Sequence, residues 1–138
     1  MSNSREQAIA LIEQYYAAFN AGDMDTFLGL LTDDVIHDIN QGKHETGKPT
    51  FAKFMQGMNS RYREQLSDML IMASDDGRRA AAEFKVQGEY LQTDEGLPEA
   101  QGQRYTLPAG AFFAVRDGKV ARVTNYYNLQ DWIEQVSS

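Results

Sequence analysis

The chain has 138 residues, of which 20 are acidic and 13 are basic, so its formal charge at pH 7 is −7. This acidic balance argues against nucleic acid or an anionic membrane as a partner, since both are polyanions. The absence of cysteine excludes disulfides, thiolate metal ligands and cysteine nucleophiles. We expect a single domain over residues 1–138 and, without a membrane span or a secretory signal pattern, a cytoplasmic location.

Helical spacing dominates the first third of the chain. A first helix is predicted over about residues 5–20 from apolar positions that share one helical face: Ala8, Ile12, Tyr15 and Phe19. Asp23 can cap a short second helix, whose apolar stripe consists of Met24, Phe27, Leu28 and Leu31. A third helix is predicted from Pro49, which is well suited to a first helical turn, and its apolar positions are Phe51, Phe54, Met55, Met58 and Tyr62.

Strand patterns take up most of the rest. From Asp34 the apolar period falls to two, so that Val35, His37 and Ile39 share one face, and Ile36, Asp38 and Asn40 share the other. The residues between Gly42 and Gly47 are typical of a short polar turn. Four further strands are predicted over about residues 65–74, 79–92, 104–116 and 119–130, with an acidic loop at 92–103.

This order of elements indicates the fold class. Helices gathered at the start of the chain and strands after them are typical of an α+β domain, in which helices cover one face of a curved antiparallel sheet.

Three segments resemble a known family: residues 15–23 (YYAAFNAGD), 33–38 (DDVIHD) and 118–123 (GKVARV). They resemble the nuclear transport factor 2-like superfamily and, within it, the group of ketosteroid isomerases and SnoaL-like polyketide cyclases. The resemblance covers nearly the whole chain. It implies a cone-shaped curved sheet, antiparallel or mixed, with the three N-terminal helices packed on its concave face and enclosing a pocket.

The resemblance also implies site residues. Ketosteroid isomerases use an aspartate general base at the end of the first strand, and the resemblance implies that Asp38 is at the corresponding position. Their oxyanion-binding tyrosine on the first helix corresponds to Tyr15. Their second oxyanion donor, a protonated aspartate, falls near Gly110, where this chain has no acid. An apolar pocket would raise the pKa of the Asp38 carboxyl, whereas at an exposed strand end the same carboxyl would be solvated or cap a turn.

Further pocket candidates come from strand and helix periodicity. On the last strand Asn125 shares a face with Tyr127, and its amide could replace the missing oxyanion donor or instead satisfy backbone groups at a bulge. On the strand over 79–92, Phe84 is on the face that we expect to turn inward. Phe54, Met58 and Phe112 are pocket candidates as well, with ordinary core packing as the alternative.

Together these features predict a cofactor-independent isomerase or cyclase that acts on a small apolar carbonyl compound. Asp38 would remove a proton beside the carbonyl, and Tyr15 would stabilise the charge that develops on its oxygen. The alternative is a non-catalytic ligand-binding or interaction domain. Epoxide hydrolysis is a third hypothesis, but Arg78, Arg79 and Arg122 have no evident inward placement in the sequence.

Metal, cofactor and oligomer expectations follow from the same residues. His37, Asp38, His44 and Glu45 have metal-ligating side chains, yet strand alternation turns His37 and Asp38 to opposite faces, so we expect no metal site. No nucleophile elbow, phosphate-binding loop or dinucleotide fingerprint is present, so we expect no organic cofactor. The apolar residues of the later strands exceed what one pocket needs, which favours a homodimer.

Overall fold

Four helices and six strands follow one another through residues 4–137, the part of the chain that the computed structural model describes, the side chain of Gln41 excepted. The helices are α1 (Ser4–Ala21), α2 (Met24–Gly29), α3 (Lys48–Arg61) and α4 (Leu129–Val136). The strands are β1 (Leu31–Ile39), β2 (Lys43–Thr46), β3 (Tyr62–Ala73), β4 (Arg79–Tyr90), β5 (Arg104–Arg116) and β6 (Lys119–Tyr127). None of these helices combines the length and the apolar character that a bilayer span requires.

The six strands form one curved sheet in the order β2-β1-β6-β5-β4-β3. β1 runs parallel to β6, and every other pair of neighbours is antiparallel, so the sheet is mixed. The Asp117-Gly118 turn joins β5 to β6 with both residues at positive φ, 54° and 74°, as a tight hairpin requires. The α+β fold expected from the order of elements is confirmed.

The inner face of the sheet carries the core. Alternate side chains of the strands are buried there, among them Val35, Phe113 and Val123, at 0%, 2% and 0% exposure. Helix α1 adds Ile12, which is also fully buried. Near the C-terminal end of α1, Asn20 forms hydrogen bonds with β3. The Asn20 amide donates to the Leu66 carbonyl at 3.0 Å and accepts from the Leu66 backbone N–H at 2.9 Å.

Several strand boundaries differ from the predictions. The residues between Gly42 and Gly47, predicted as a turn, include the edge strand β2, whose charged residues pair with β1 in the register Asp38↔His44. Leu31, predicted on the second helix, is the first residue of β1, and β3 begins at Tyr62 rather than near residue 65. In each case sheet pairing extends or creates a strand where the local pattern is weak.

A fourth helix follows β6, where the sequence predicted that the last strand continues to residue 130. The Asn128 side chain accepts a hydrogen bond from the Asp131 backbone N–H at 3.1 Å and so caps α4. Trp132 and Val136, four residues apart, are buried on its inner side. The sheet is therefore covered by helices from both ends of the chain.

Candidate functional site

A cavity of about 300 Å³ lies between the inner face of the sheet and the helices. Its wall is largely aromatic and apolar, and both the helices and the strands contribute to it. The helices contribute the apolar residues Phe19, Phe27, Phe51, Phe54, Met55, Met58, Leu129 and Trp132. A cavity of this size and character suits a small apolar compound.

Most of the predicted site residues line this cavity. Those that do are Tyr15, Phe54, Met58, Phe84, Gly110, Asn125 and Tyr127. Their location is consistent with contact to a ligand, while Asp38 and Phe112 lie elsewhere.

Asp38 lies on the outer face of β1 and does not line the cavity. Its Oδ2 accepts hydrogen bonds from the Arg122 Nε at 2.8 Å and from the Thr124 hydroxyl at 2.7 Å. Partial burial acts to raise the pKa of Asp38, but these hydrogen bonds and the charges of Arg122 and His44 outweigh it, so the pKa is lowered. The expectation of an inward base with a raised pKa is wrong.

Phe112 is also on the outer face, and its prediction as a pocket residue is wrong. Its side chain is 56% exposed and its ring packs against Tyr126 at a centroid distance of 5.8 Å. Its neighbours Ala111 and Phe113 are the inward residues of β5, so the two-residue period turns Phe112 outward.

His37 is the titratable residue that β1 directs into the cavity. It is 2% exposed, and its imidazole stacks on the Phe51 ring at a centroid distance of 4.2 Å and an interplanar angle of 7°. Phe54 meets the same ring edge-on at 4.8 Å. Burial lowers the pKa of His37 to about 4, against a smaller opposing effect of the Asp38 charge, so the imidazole is neutral near pH 7.

Two polar side chains face the two ring nitrogens of His37. The Asn125 Nδ2 lies 3.2 Å from Nε2, and because an amide nitrogen can only donate, Nε2 accepts. The proton of the neutral ring is then on Nδ1, which faces the Glu45 Oε1 at 3.7 Å. The His37 Nδ1 and the Glu45 Oε1 are both buried, and neither has a hydrogen-bond partner within residues 4–137. The Glu45 carboxyl group on the Nδ1 side electrostatically favours the tautomer with its proton on Nδ1, in which Nε2 can accept a proton.

Two phenols from α1 supply hydrogen-bond donors to the cavity. Tyr15 packs against Phe27 at a centroid distance of 4.5 Å, and Tyr16 packs against Phe84 at 5.2 Å. Burial raises the pKa of both tyrosines, so both hydroxyls keep their protons. Within residues 4–137 neither hydroxyl has a hydrogen-bond partner, which leaves both free for a ligand.

A second acidic part of the cavity wall was not predicted from the sequence. Glu64 and Asp94 both line the cavity, although Glu64 was outside any predicted strand and Asp94 belonged to the acidic loop predicted at 92–103. The alternation of Tyr62, Glu64 and Leu66 was a usable signal, because all three are inward residues of β3. No comparable signal marked Asp94, whose position depends on the hydrogen bond from the Tyr62 hydroxyl at 2.8 Å.

The remaining chemical alternatives have no assembled site in the part of the chain that the structure describes. No group of three or more His, Asp or Glu residues there could hold a metal ion. Arg122 is on the outer face with Asp38, and Arg78 and Arg79 do not line the cavity either. An arginine for an epoxide-hydrolysing arrangement is therefore not among the cavity residues.

We predict that His37 makes the stability of the protein depend on pH. Its folded pKa of about 4 is below its ordinary value of 6.5, so its contribution is complete above pH 6.5 and is lost as the pH falls towards 4. Between pH 7 and pH 4 the free energy of unfolding should fall by about 3 kcal/mol more in the wild type than in His37→Gln. Urea denaturation of both proteins at the two pH values measures this difference; equal losses would contradict a buried neutral imidazole.

Comparisons with known proteins agree with this architecture. A family model described as the SnoaL-like domain matches residues 12–123. The chain is 64% identical to a candidate polyketide cyclase from Pseudomonas putida KT2440, with a TM-score of 0.92 and coverage of 94% of this chain and 97% of that one. It is 57% identical to a candidate polyketide cyclase from Xanthomonas campestris pv. campestris, with a TM-score of 0.94 and coverage of 97% and 99%.

A more distant structure shares the fold alone. An LEH-like epoxide hydrolase of M. tuberculosis is 19% identical, with a TM-score of 0.77 and coverage of 96% of this chain and 90% of that one. No curated protein matches the chain. With a family model over most of its length and relatives above half identity, the chain belongs to the SnoaL-like family of the nuclear transport factor 2-like superfamily.

Proposed function

We propose that the protein is a cofactor-independent enzyme that transfers a proton on a small apolar carbonyl compound, in an isomerisation or an aldol-type cyclisation. The observation that carries the proposal is the neutral His37, buried in an apolar cavity with its Nε2 in contact with Asn125. The relatives at 64% and 57% identity are both named as candidate polyketide cyclases, which supports the same class of reaction.

His37 takes the role that the family resemblance gave to Asp38. On ligand entry the Asn125 amide turns from Nε2 to the carbonyl oxygen of the ligand, and Nε2 then accepts the proton of the carbon beside the carbonyl. The imidazolium is stabilised by Glu45, which already faces Nδ1 at 3.7 Å. A base with a pKa of about 4 is adequate in such a site, since a carboxylate base with a pKa of about 4.6 serves ketosteroid isomerase.

The negative charge that leaves the carbon collects on the carbonyl oxygen. The Tyr15 hydroxyl and the Asn125 amide are neutral donors that line the cavity and can stabilise that oxygen without adding a charge. In an isomerisation the imidazolium returns the proton to a different carbon. In a cyclisation the carbanion attacks a second carbonyl of the same molecule and the new alkoxide takes a proton, so that neither route consumes a co-reactant.

We predict that His37→Gln lowers the rate of proton removal at least about 100-fold, because the amide cannot accept the proton. Tyr15→Phe should lower it by about 10- to 1,000-fold through the loss of one oxyanion donor. The assay is proton NMR of deuterium incorporation beside the carbonyl of 2-tetralone in D₂O.

The pH dependence of this exchange is a further prediction. With wild-type protein the rate of proton exchange should be level from about pH 5 to pH 8 and fall as the pH drops through about 4, where His37 becomes charged.

Asp38→Asn is the matched control for these variants. Its carboxyl is on the opposite face of β1 from His37, so the exchange rate should stay within about twofold of the wild type. A strong loss in Asp38→Asn with an unchanged rate in His37→Gln would reverse our assignment. Binding of 2-tetralone to wild-type protein without any exchange above background would favour the non-catalytic binding domain.

We also infer that a second copy of this chain covers the outer face of the sheet. Exposed apolar side chains lie there on three strands, Leu70 and Met72 on β3, Phe112 on β5 and Tyr126 on β6, and the register places Met72 and Phe112 in one cross-strand row with β4 between them. These residues are from 47% to 56% exposed, an unusual amount of apolar surface on one sheet face. The same face carries the Asp38–Arg122 ion pair. In a dimer with two-fold symmetry, the positive and negative groups of one copy can therefore pair with the opposite groups of the other copy.

Phe112→Asp is predicted to convert a dimer into a monomer in sedimentation equilibrium at micromolar concentration, because it buries a charge at the centre of the apolar patch. Gln92→Asp, in the exposed loop, adds the same charge and should leave the dimer intact. A wild-type protein that sediments as a monomer would refute the dimer without affecting the assignment of His37.

A further inference from the structure

A second polar site lies in the cavity wall, on a different part of the sheet from His37. β1 and β3 are not neighbours in the sheet, because β6, β5 and β4 lie between them, but on the concave inner face Glu64 is close enough to Tyr127 of β6 for its charge to add to the effect of burial in raising the pKa of Tyr127. Glu64 lines the cavity from β3, and no Lys, Arg or His within residues 4–137 pairs with its carboxyl group. Asp94, also in the wall, differs because Arg61 lies 3.6 Å from it.

The Glu64 carboxyl is held by a contact that crosses a whole strand. In the register of the sheet Glu64 pairs with Gly88 of β4, and Gly88 pairs with Tyr105 of β5. The Tyr105 hydroxyl nevertheless reaches the Glu64 Oε2 at 2.5 Å. It does so because its ring lies directly on the backbone of Gly88, where the Cβ of any other residue would overlap the ring. Trp132 covers the ring edge-on at a centroid distance of 5.9 Å.

The surroundings of this carboxyl favour its neutral form. Burial raises the pKa of Glu64, and the hydrogen bond from Tyr105 offsets only part of that effect. The titratable groups around it are Tyr105 itself, Tyr127 from β6, and Tyr62 with its partner Asp94. None of these groups can carry a positive charge, so none of them compensates a carboxylate at this position.

In its neutral form the Glu64 carboxyl has one hydrogen-bond donor for a ligand. Tyr105 occupies Oε2, while Oε1 has no partner within residues 4–137 and can carry the O–H. The group that best accepts from this donor in an apolar wall is a carbonyl oxygen, because it carries no charge and has lone pairs but no proton of its own.

We propose that Glu64, positioned by Tyr105 across Gly88, is a second ligand subsite that donates a hydrogen bond to a carbonyl oxygen on the β3 side of the cavity. The substrate is therefore an apolar compound with two carbonyl groups, one toward Asn125 and one toward Glu64. This proposal rests on the proposed function and deepens it, since it names the substrate class of the same cavity.

The subsite also has a place in a cyclisation. When the carbanion adds to the second carbonyl, one carbon–carbon bond forms, and the electron pair of the carbonyl bond moves to its oxygen. Glu64 can give its proton to that new alkoxide. The imidazolium of His37 releases the first proton to solvent, and the Glu64 carboxylate takes one back, so both groups end in their starting forms.

The test compares two ligands that differ in one atom. They are 2-tetralone carrying an acetyl group at the sixth ring position and the same ketone carrying the isosteric isopropenyl group, with dissociation constants measured by calorimetry. Wild-type protein should bind the acetyl compound about tenfold more tightly, the usual effect of one buried hydrogen bond. Above the pKa of Glu64 the carboxylate can no longer donate, so this preference should weaken as the pH is raised through that pKa.

Variants of Glu64 and of Gly88 separate a ligand contact from a structural role. Glu64→Leu should abolish the preference, whereas Glu64→Gln should keep it at every pH because its amide donates without titrating. Gly88→Ala displaces the Tyr105 ring but touches no ligand, and it should reduce the preference at low pH. Gly29→Ala, with open space around its Cβ, is the control and should change nothing. A preference that survives in Glu64→Leu, or that is independent of pH in the wild type, would overturn the proposal.

The same measurement keeps the two proposals apart. His37→Gln should retain the acetyl preference, since the second subsite does not involve the base. If the wild type shows the preference but no exchange of 2-tetralone protons, the proposed chemistry fails and the Glu64 subsite stands. If it shows exchange without the preference, the chemistry stands and the Glu64 subsite fails.

Discussion

The parallel pairing of β1 with β6 is the constraint on which the site depends. It aligns His37 with Val123 and Asp38 with Thr124, and because side chains alternate across a sheet, one pair faces the cavity and the other faces outward. Val35 and Val123, both fully buried, fix which face is inside. A shift of β1 by one residue would bring Asp38 in and expose His37, and it would also expose Val35. The placement of His37 inside the cavity and of Asp38 outside it is therefore a consequence of core packing.

The apolar cavity shifts the pKa of both His37 and Glu64 toward the neutral form of each group. Desolvation disfavours the charged form of any group, so it lowers the pKa of His37 and raises that of Glu64. These shifts favour a free base at His37 and a protonated carboxyl at Glu64. Asp38 has the opposite environment, with Arg122 and Thr124 in direct contact, and its lowered pKa suits an ion pair on the outer face.

Local patterns in the sequence were sufficient for most of the fold and for much of the cavity wall. α1, α3 and β5 follow from periodicity, and Tyr15, Phe84 and Asn125 line the cavity as their faces predicted. Alternation alone also placed His37 with Val35, but the family resemblance assigned the base to the next residue. Other features depend on contacts between strands that no local pattern records. β2 exists because β1 offers it an edge, and Tyr105 meets Glu64 only because the register brings Gly88 between them.

The assignment of His37, and not Asp38, as the base requires a carbonyl ligand to bind inside the cavity with its reactive carbon beside the imidazole. A crystal structure of the protein soaked with 2-tetralone tests this most directly. We expect the carbonyl oxygen within hydrogen-bond distance of the Tyr15 hydroxyl or the Asn125 amide, and the adjacent carbon next to the Nε2 of His37. A ketone bound on the outer face beside Asp38 and Arg122, or one inside the cavity with its carbonyl turned away from all three inner groups, would contradict the assignment.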